Sequence, residues 1–308
     1  MVITVSFLGI ILVICIVIFL LNKRRLIAVF YPHDHSILSQ SEGHIRLLTY
    51  NVAGLPEKIS SAKTKRYDSM LLIGEKINNY DIVNVQEDFN YNIQLYTNTL
   101  HSFKSAHRGK AIWGDGLNTL SKYPILEFRR VAWKKCNGSD CLTPKGFSLA
   151  RICIAANVII DTYNVHATSG YSLSAAKARR NNLLQLANYI DQHSVGNALI
   201  VMGDFNAHYQ YHLDNMIDFL EQTKLQDSWV STILQGKYPS VQDNFVILDD
   251  LSCNNYIETI DKILYRSNEH ITLEPLKYKV EEEIFLDNNE AHLSDHLAVM
   301  VDLKWNIT

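Results

Sequence analysis

A chain of 308 residues that is 47% hydrophobic and 20% charged has the apolar content for one large core or two small ones, and too much of it for wholesale disorder. Its formal charge of −3 argues against a general nucleic-acid binder that works by neutralising phosphates, although a local basic groove stays open. Its five cysteines form no C-x-x-C pair, which argues against a structural zinc site.

In chain order, the first feature is an almost wholly apolar run from Val2 to Leu21. About 20 such residues match the hydrocarbon thickness of a bilayer. Nothing basic precedes the run and Asn22-Lys23-Arg24-Arg25 follows it, so it reads as an uncleaved anchor over residues 1–22 rather than a signal peptide or a buried core helix. The expectation is a single-pass membrane protein with one transmembrane helix. The side is left open: Lys23, Arg24 and Arg25 favour the cytosol for the C-terminal domain, whereas sequons at Asn137 and Asn306 and a bridge between Cys136 and Cys141 would favour an oxidising compartment. Those two cysteines admit both readings, a disulfide or two free thiols in a surface turn.

Residues 23–43 read as a polar linker in which His33 and His35 are solvated, and residues 44–308 as one domain. Within that domain β-rich runs recur at Ile45–Val52, Ile82–Val85, Leu117–Ser121, Ser148–Ile154, Val158–Val165, Ala198–Met202, Ile260–Tyr265 and Leu297–Leu303. Helical patterns lie between them at Lys65–Tyr80, Ala175–His193 and Leu213–Leu225. This mixture predicts a single large α/β domain.

Polar residues collect at the strand ends. Asn51 closes the first run and Glu87 follows the second; His166 follows Val165, and Asp204 and Asn206 stand in Gly203-Asp204-Phe205-Asn206. Asp261 opens Asp261-Lys262-Ile263-Leu264, and Asp295-His296 precedes the last run. Any one of them is explained by an ordinary turn; the set is not. A hard cation such as Mg²⁺, with Mn²⁺ as the alternative, takes oxygen ligands and needs only one or two carboxylates beside substrate phosphate. A histidine backed by an acid can take a proton from water near neutral pH, and amide or imidazole donors can stabilise phosphoryl oxygens.

Taken together, Thr49-Tyr50-Asn51-Val52, Val85-Gln86-Glu87, Asn164-Val165-His166, Gly203-Asp204-Phe205-Asn206, Ile260-Asp261-Lys262-Ile263-Leu264 and Ser294-Asp295-His296 resemble, in order, the endonuclease/exonuclease/phosphatase superfamily. The resemblance runs from about His44 to Trp305 and implies two packed β-sheets flanked by helices, a four-layer sandwich. It implies Glu87, Asn51 and Asp295 at the metal, Asp204 and Asn206 positioning water and phosphate, His296 as base oriented by Asp261, and His166 at the scissile phosphate. The two residues of the base pair are then expected about 2.6–3.2 Å apart. The stretches Val201-Met202-Gly203 and Thr259-Ile260-Asp261-Lys262 depart from the inositol-polyphosphate 5-phosphatases. The substrate classes implied are phospholipid, nucleic acid or inositol phosphate, and no feature points to an obligatory protein partner. The functional expectation is a membrane-anchored, Mg²⁺-dependent phosphoesterase of sphingomyelinase-like type, with a tethered nuclease or a catalytically silent binding module as the alternatives.

Overall fold

The computed structural model describes residues 9–17, 27–30 and 39–308. The expected membrane span is corrected here. Residues 9–17 form a helix, α1, whose side chains are all exposed. Among the described residues no helix is long and apolar enough to cross a membrane. The rest of the run, residues 1–8 and 18–22, lies outside the described residues, as do His33 and His35 of the segment read as a linker.

Two mixed sheets carry the domain. The first has seven strands in the order β1 (Ile27–Phe30), β6 (Ile125–Ala132), β7 (Gly146–Ala155), β8 (Val158–His166), β9 (Leu199–Asp204), β11 (Asp261–Arg266) and β10 (Gln226–Asp227). The second has six, in the order β12 (Ile271–Val280), β13 (Val299–Ile307), β2 (Glu42–Asn51), β3 (Ile82–Gln86), β5 (Asn118–Ser121) and β4 (Phe103–Lys104). Each sheet contains one parallel pair, β8–β9 in the first and β2–β3 in the second. The other neighbours are antiparallel.

The alternation in β2 shows how the layers form. Ile45 and Leu47 enter the large core shared with the first sheet, whereas Leu48, Tyr50 and Val52 enter a second cluster with Met70 and Ile73. Successive strand side chains face opposite ways, so one strand serves both layers. Met70 and Ile73 belong to α2 (Arg66–Lys76), which covers the second sheet together with the short α3 (Asn92–Thr97). On the first sheet lies α4 (Leu173–His193), started by Ser172, whose hydroxyl accepts from Ala175 N at 3.2 Å. Its buried Leu183, Leu186, Ala187 and Ile190 recur at helical spacing and join the large core. Two further helices, α5 (Met216–Thr223) and α6 (Ser228–Thr232), follow β9 and β10.

The strands β1, β4, β6, β10 and β12 are absent from the expectations above. β6 carries Glu127, Arg129 and Arg130, and β12 carries Pro275 at a register shift, so neither reads as a plain β-rich run. Cys136 and Cys141, read either way from sequence, are joined as a disulfide with Cα atoms 5.2 Å apart.

Candidate active site

Parallel strands finish at a common rim, and the two parallel pairs finish at the same place. Register sets Asn51 beside Gln86 in the second sheet and His166 beside Asp204 in the first. Antiparallel β11 starts at that rim, with Asp261 opposite Asp204. The approach of β8 to β9 is close: a Cβ on Gly203 would lie 2.1 Å from the Val165 carbonyl oxygen, and Gly203 has φ +154°. Only glycine fits there without moving a strand.

Side chains from both sheets converge on one nitrogen. Asn51 Nδ2 lies 3.4 Å from Glu87 Oε1, 3.2 Å from Asp204 Oδ2 and 3.4 Å from His296 Nε2. His166 Nε2 is 3.4 Å from Asp204 Oδ2 and 3.9 Å from Glu87 Oε1. His296 Nδ1 meets Asp261 Oδ2 at 2.8 Å, inside the range expected of that pair. Asn206 Nδ2 donates to Asp204 Oδ1 at 2.8 Å. The structure thus brings Asn51, Glu87, His166, Asp204, Asn206, Asp261 and His296 together. Asp295 stands at the edge: the Ser294 hydroxyl donates to its Oδ1 at 3.3 Å, and its charge reaches Glu87.

The backbone here is held, not relaxed. Ala53 (φ 49°), Glu87 (φ 58°) and Asn206 (φ 50°) occupy the left-handed region, which non-glycine residues adopt at a cost. Compensating bonds surround them. The Glu87 carbonyl accepts from Gly54 N at 3.0 Å and Phe89 N at 2.8 Å, and Ala53 N donates to Asn51 Oδ1 at 3.1 Å. Buried Arg66 ties the end of β2 to the loop before His296, donating to Val52 O at 3.1 Å and Leu293 O at 2.5 Å. Ser294 Oγ adds a bond to Asn51 O at 2.6 Å.

Burial sets the charges. It raises the Glu87 carboxyl above its ordinary value, and burial followed by repulsion from Asp261 pushes Asp204 up to about 7. His166 is driven well below the usual imidazole range, first by burial and then by the positive charges of Lys145 and His296, so it is neutral. His296 is the opposite case. Burial works against its charged form, but Asp261, Asp204 and Asp250 outweigh that and hold its proton far more tightly than usual.

Several residues at the site escaped the sequence reading. Asp250 Oδ2 lies 3.9 Å from His296 Nε2, with its carboxyl pushed up to about 6 by burial. Lys145 pairs with Asp140 at 3.0 Å, and Asp140 in turn accepts from Ser169 N at 2.7 Å, so the disulfide-closed loop is moored beside His166. Arg66 completes the group. A cleft of about 520 Å³ lies at the edge of the cluster, bounded by Lys63, Tyr171, Leu248, Asp250, His292 and Asp295.

The donor set fits a hard divalent cation. The buried Asp204 carboxylate, the half-buried Glu87 carboxylate and an imidazole press on a single amide nitrogen, which has only two protons to offer. Among the described residues there is no group of three or more His, Cys, Asp or Glu side chains arranged to hold a metal ion.

The profile of the "Endonuclease/Exonuclease/phosphatase family" matches residues 48–296. A sphingomyelinase of Mycobacterium tuberculosis is 34% identical over 270 residues, which is 85% of this chain and 53% of that protein. This chain therefore spans about half the length of that relative. Beta toxin from Staphylococcus aureus, solved with bound magnesium ions, superposes with a TM-score of 0.61 at 17% identity, over 84% of this chain and 99% of its own. D. rerio TDP2 complexed with a single-strand DNA product gives 0.61 at 14% identity, over 84% and 98%. At such identities these superpositions show a shared fold.

Proposed function

This chain belongs to the Endonuclease/Exonuclease/phosphatase family, and from that premise we propose that it is an Mg²⁺-dependent phosphodiesterase that hydrolyses a sphingomyelin-type phospholipid. The observation that carries the reading is the His296–Asp261 pair at 2.8 Å, whose other ring nitrogen, Nε2, lies 3.4 Å from Asn51 Nδ2 and 4.0 Å from Asp204 Oδ2. The lipid substrate is supported by the 34% identity with the mycobacterial sphingomyelinase. The metal is supported by the crowded acids and by the magnesium in the beta-toxin structure.

Glu87 would hold the cation, with Asp295 close by and Asn51 taking part through the amide oxygen that here accepts from Ala53 N. Mg²⁺ would supply Lewis acidity at a phosphoryl oxygen and the positive charge that these acids otherwise draw from His296. Asp261 fixes the His296 ring, so that Nε2 accepts the proton of the attacking water, and stabilises the imidazolium that results. Asp204, held by Asn206 and Asn51, orients that water. Neutral His166 and the Asn206 amide donate to phosphoryl oxygens as charge builds.

Purified protein assayed with Mg²⁺ on sphingomyelin vesicles, DNA, RNA and inositol phosphates tests the reading. Sphingomyelin should be cleaved preferentially, with loss in excess EDTA and a fall of at least about 100-fold in Glu87→Gln. Full turnover in EDTA or in Glu87→Gln overturns the metal assignment. Preference for DNA overturns the lipid assignment.

A further inference from the structure

Behind the loop that carries Asp250 lies a second cavity, of about 200 Å³, bounded by His208, Phe245, Leu248, Asp250, Ile257 and Glu258. Leu248 and Asp250 also bound the 520 Å³ cleft at the edge of the reaction centre, so one short stretch borders both spaces. The wall is mixed, with Phe245, Val246, Leu248, Cys253 and Ile257 set against Gln210, Gln242 and Asp250, and it contains an unsatisfied pair. His208 Nδ1 and Glu258 Oε2 lie 3.9 Å apart, and neither has a hydrogen-bond partner. Both residues are more than nine-tenths buried, with 7% and 5% exposure. Buried polar atoms left without partners are costly and point to a group that is not part of the chain.

The remaining atoms of both side chains are engaged, which fixes what the free ones want. Glu258 Oε1 accepts from Tyr209 N at 2.6 Å and from Lys262 Nζ at 2.8 Å. A carboxylate oxygen such as Oε2 only accepts, so it needs a donor. The His208 ring packs against Phe245 with centroids 4.8 Å apart, and its Nε2 lies 3.4 Å from the Tyr171 hydroxyl. Burial pushes its pKa down to about 4, so the ring is neutral and carries one N–H. With Tyr171 donating to Nε2, the ring proton sits on Nδ1 and needs an acceptor. One atom that both donates and accepts answers both needs, and a hydroxyl oxygen does this. Phe245, Leu248 and Ile257 give that hydroxyl's carbon chain an apolar surface to lie on.

We propose that this cavity is a subsite for an aliphatic hydroxyl of the substrate's alcohol portion, donating to Glu258 Oε2 and accepting from His208 Nδ1. The assignment rests on the sphingolipid reading above, because a sphingoid base carries a free secondary hydroxyl two carbons from the phosphoester-bearing carbon. The subsite would separate such a lipid from a glycerophospholipid with the same headgroup, whose corresponding positions are acylated.

Calorimetric titration of the full chain with N-acetylsphingosine and with its 3-deoxy analogue tests this without using turnover. The hydroxyl compound should bind about 10-fold more tightly, the worth of one well-placed hydrogen-bonding group. His208→Phe keeps the ring stacking and should abolish the discrimination; His208→Asn, whose amide falls near Nδ1, should restore most of it. Equal binding of the two compounds, or binding of neither, overturns the subsite and leaves the pair bridged by water alone. Discrimination without sphingomyelin turnover would retain the subsite and reject the lipid-hydrolase reading. Turnover without discrimination would do the reverse.

Discussion

At one end of the layer between the sheets, Ile45, Leu47 and Ile82 of the second sheet belong to the same core as Ile152, Ile160 and Val201 of the first. Towards the rim, the same face of β2 continues as Thr49 and Asn51, and that of β3 as Asn84 and Gln86. There the sheets are joined by hydrogen bonds. Asn84 Nδ2 donates to Tyr163 O at 3.0 Å, Gln86 Nε2 to Asn164 Oδ1 at 2.8 Å, and Asn164 Nδ2 to Val85 O at 2.9 Å. Apolar contact has no direction and tolerates small shifts, whereas a buried amide is satisfied in one placement only. The apolar end thus supplies cohesion, and the polar end sets the register in which Asn51 and Glu87 meet His166 and Asp204.

Substitutions at the two ends should therefore fail in different ways. The largest effect is expected beyond the polar end. His296→Ala should lower kcat about 10²–10⁴-fold, roughly 3–5 kcal/mol of barrier, with little change in thermal midpoint. Near-normal turnover of a phosphodiester would remove the base assignment. Next comes the apolar end. Leu47→Ala, at a fully buried position, should cost about 2–5 kcal/mol in urea unfolding, while the folded fraction keeps its kcat. A matching loss of kcat per folded molecule would show that the two ends are not separable.

Asn164→Leu strikes the seam between them. It strips partners from the Gln86 amide and the Val85 and Asn118 carbonyls, so stability should fall by about 1–3 kcal/mol and kcat should fall as well. Stability loss without kinetic loss would deny the amides a positioning role. The smallest effect concerns His101, away from the rim, whose Nε2 lies 3.0 Å from Tyr80 O. Burial depresses its pKa to about 4, so its contribution is intact above the ordinary value of 6.5 and is lost as pH falls toward 4. Between pH 7 and 5.5 the loss should be about 1 kcal/mol. His101→Gln should flatten that acid limb; an unchanged slope would place the sensitivity elsewhere.

Residues that a strand delivers to the rim were legible from sequence. Asn51, Glu87, Asp204, Asp261 and His296 all abut β-rich runs, so local pattern already implied their company. Lys145 and Asp250 stand in segments without periodicity, and Arg66 opens a helical pattern whose apolar face does not announce it; what places all three is a long-range partner: Asp140, His296 and Leu293 O. The mixed parallel and antiparallel order of the sheets was equally invisible, because pairing is decided by contacts far apart in sequence. The apolar N-terminal run misled in the other direction. Hydropathy there answers how greasy a segment is, whereas among the described residues no helix is long and apolar enough to cross a membrane.

Gly203 carries a lesson for anyone who reads this chain through its variants. A side chain there must push on the Val165 carbonyl, one residue before His166, so even alanine would spread the two strands that deliver His166 and Asp204. In a saturation screen scored by activity, every replacement at 203 should look as damaging as the loss of a reacting group. A ranking by tolerance alone would then place among the chemical residues one that has no functional group at all, and only a parallel measure of local geometry would tell the hinge from the hand.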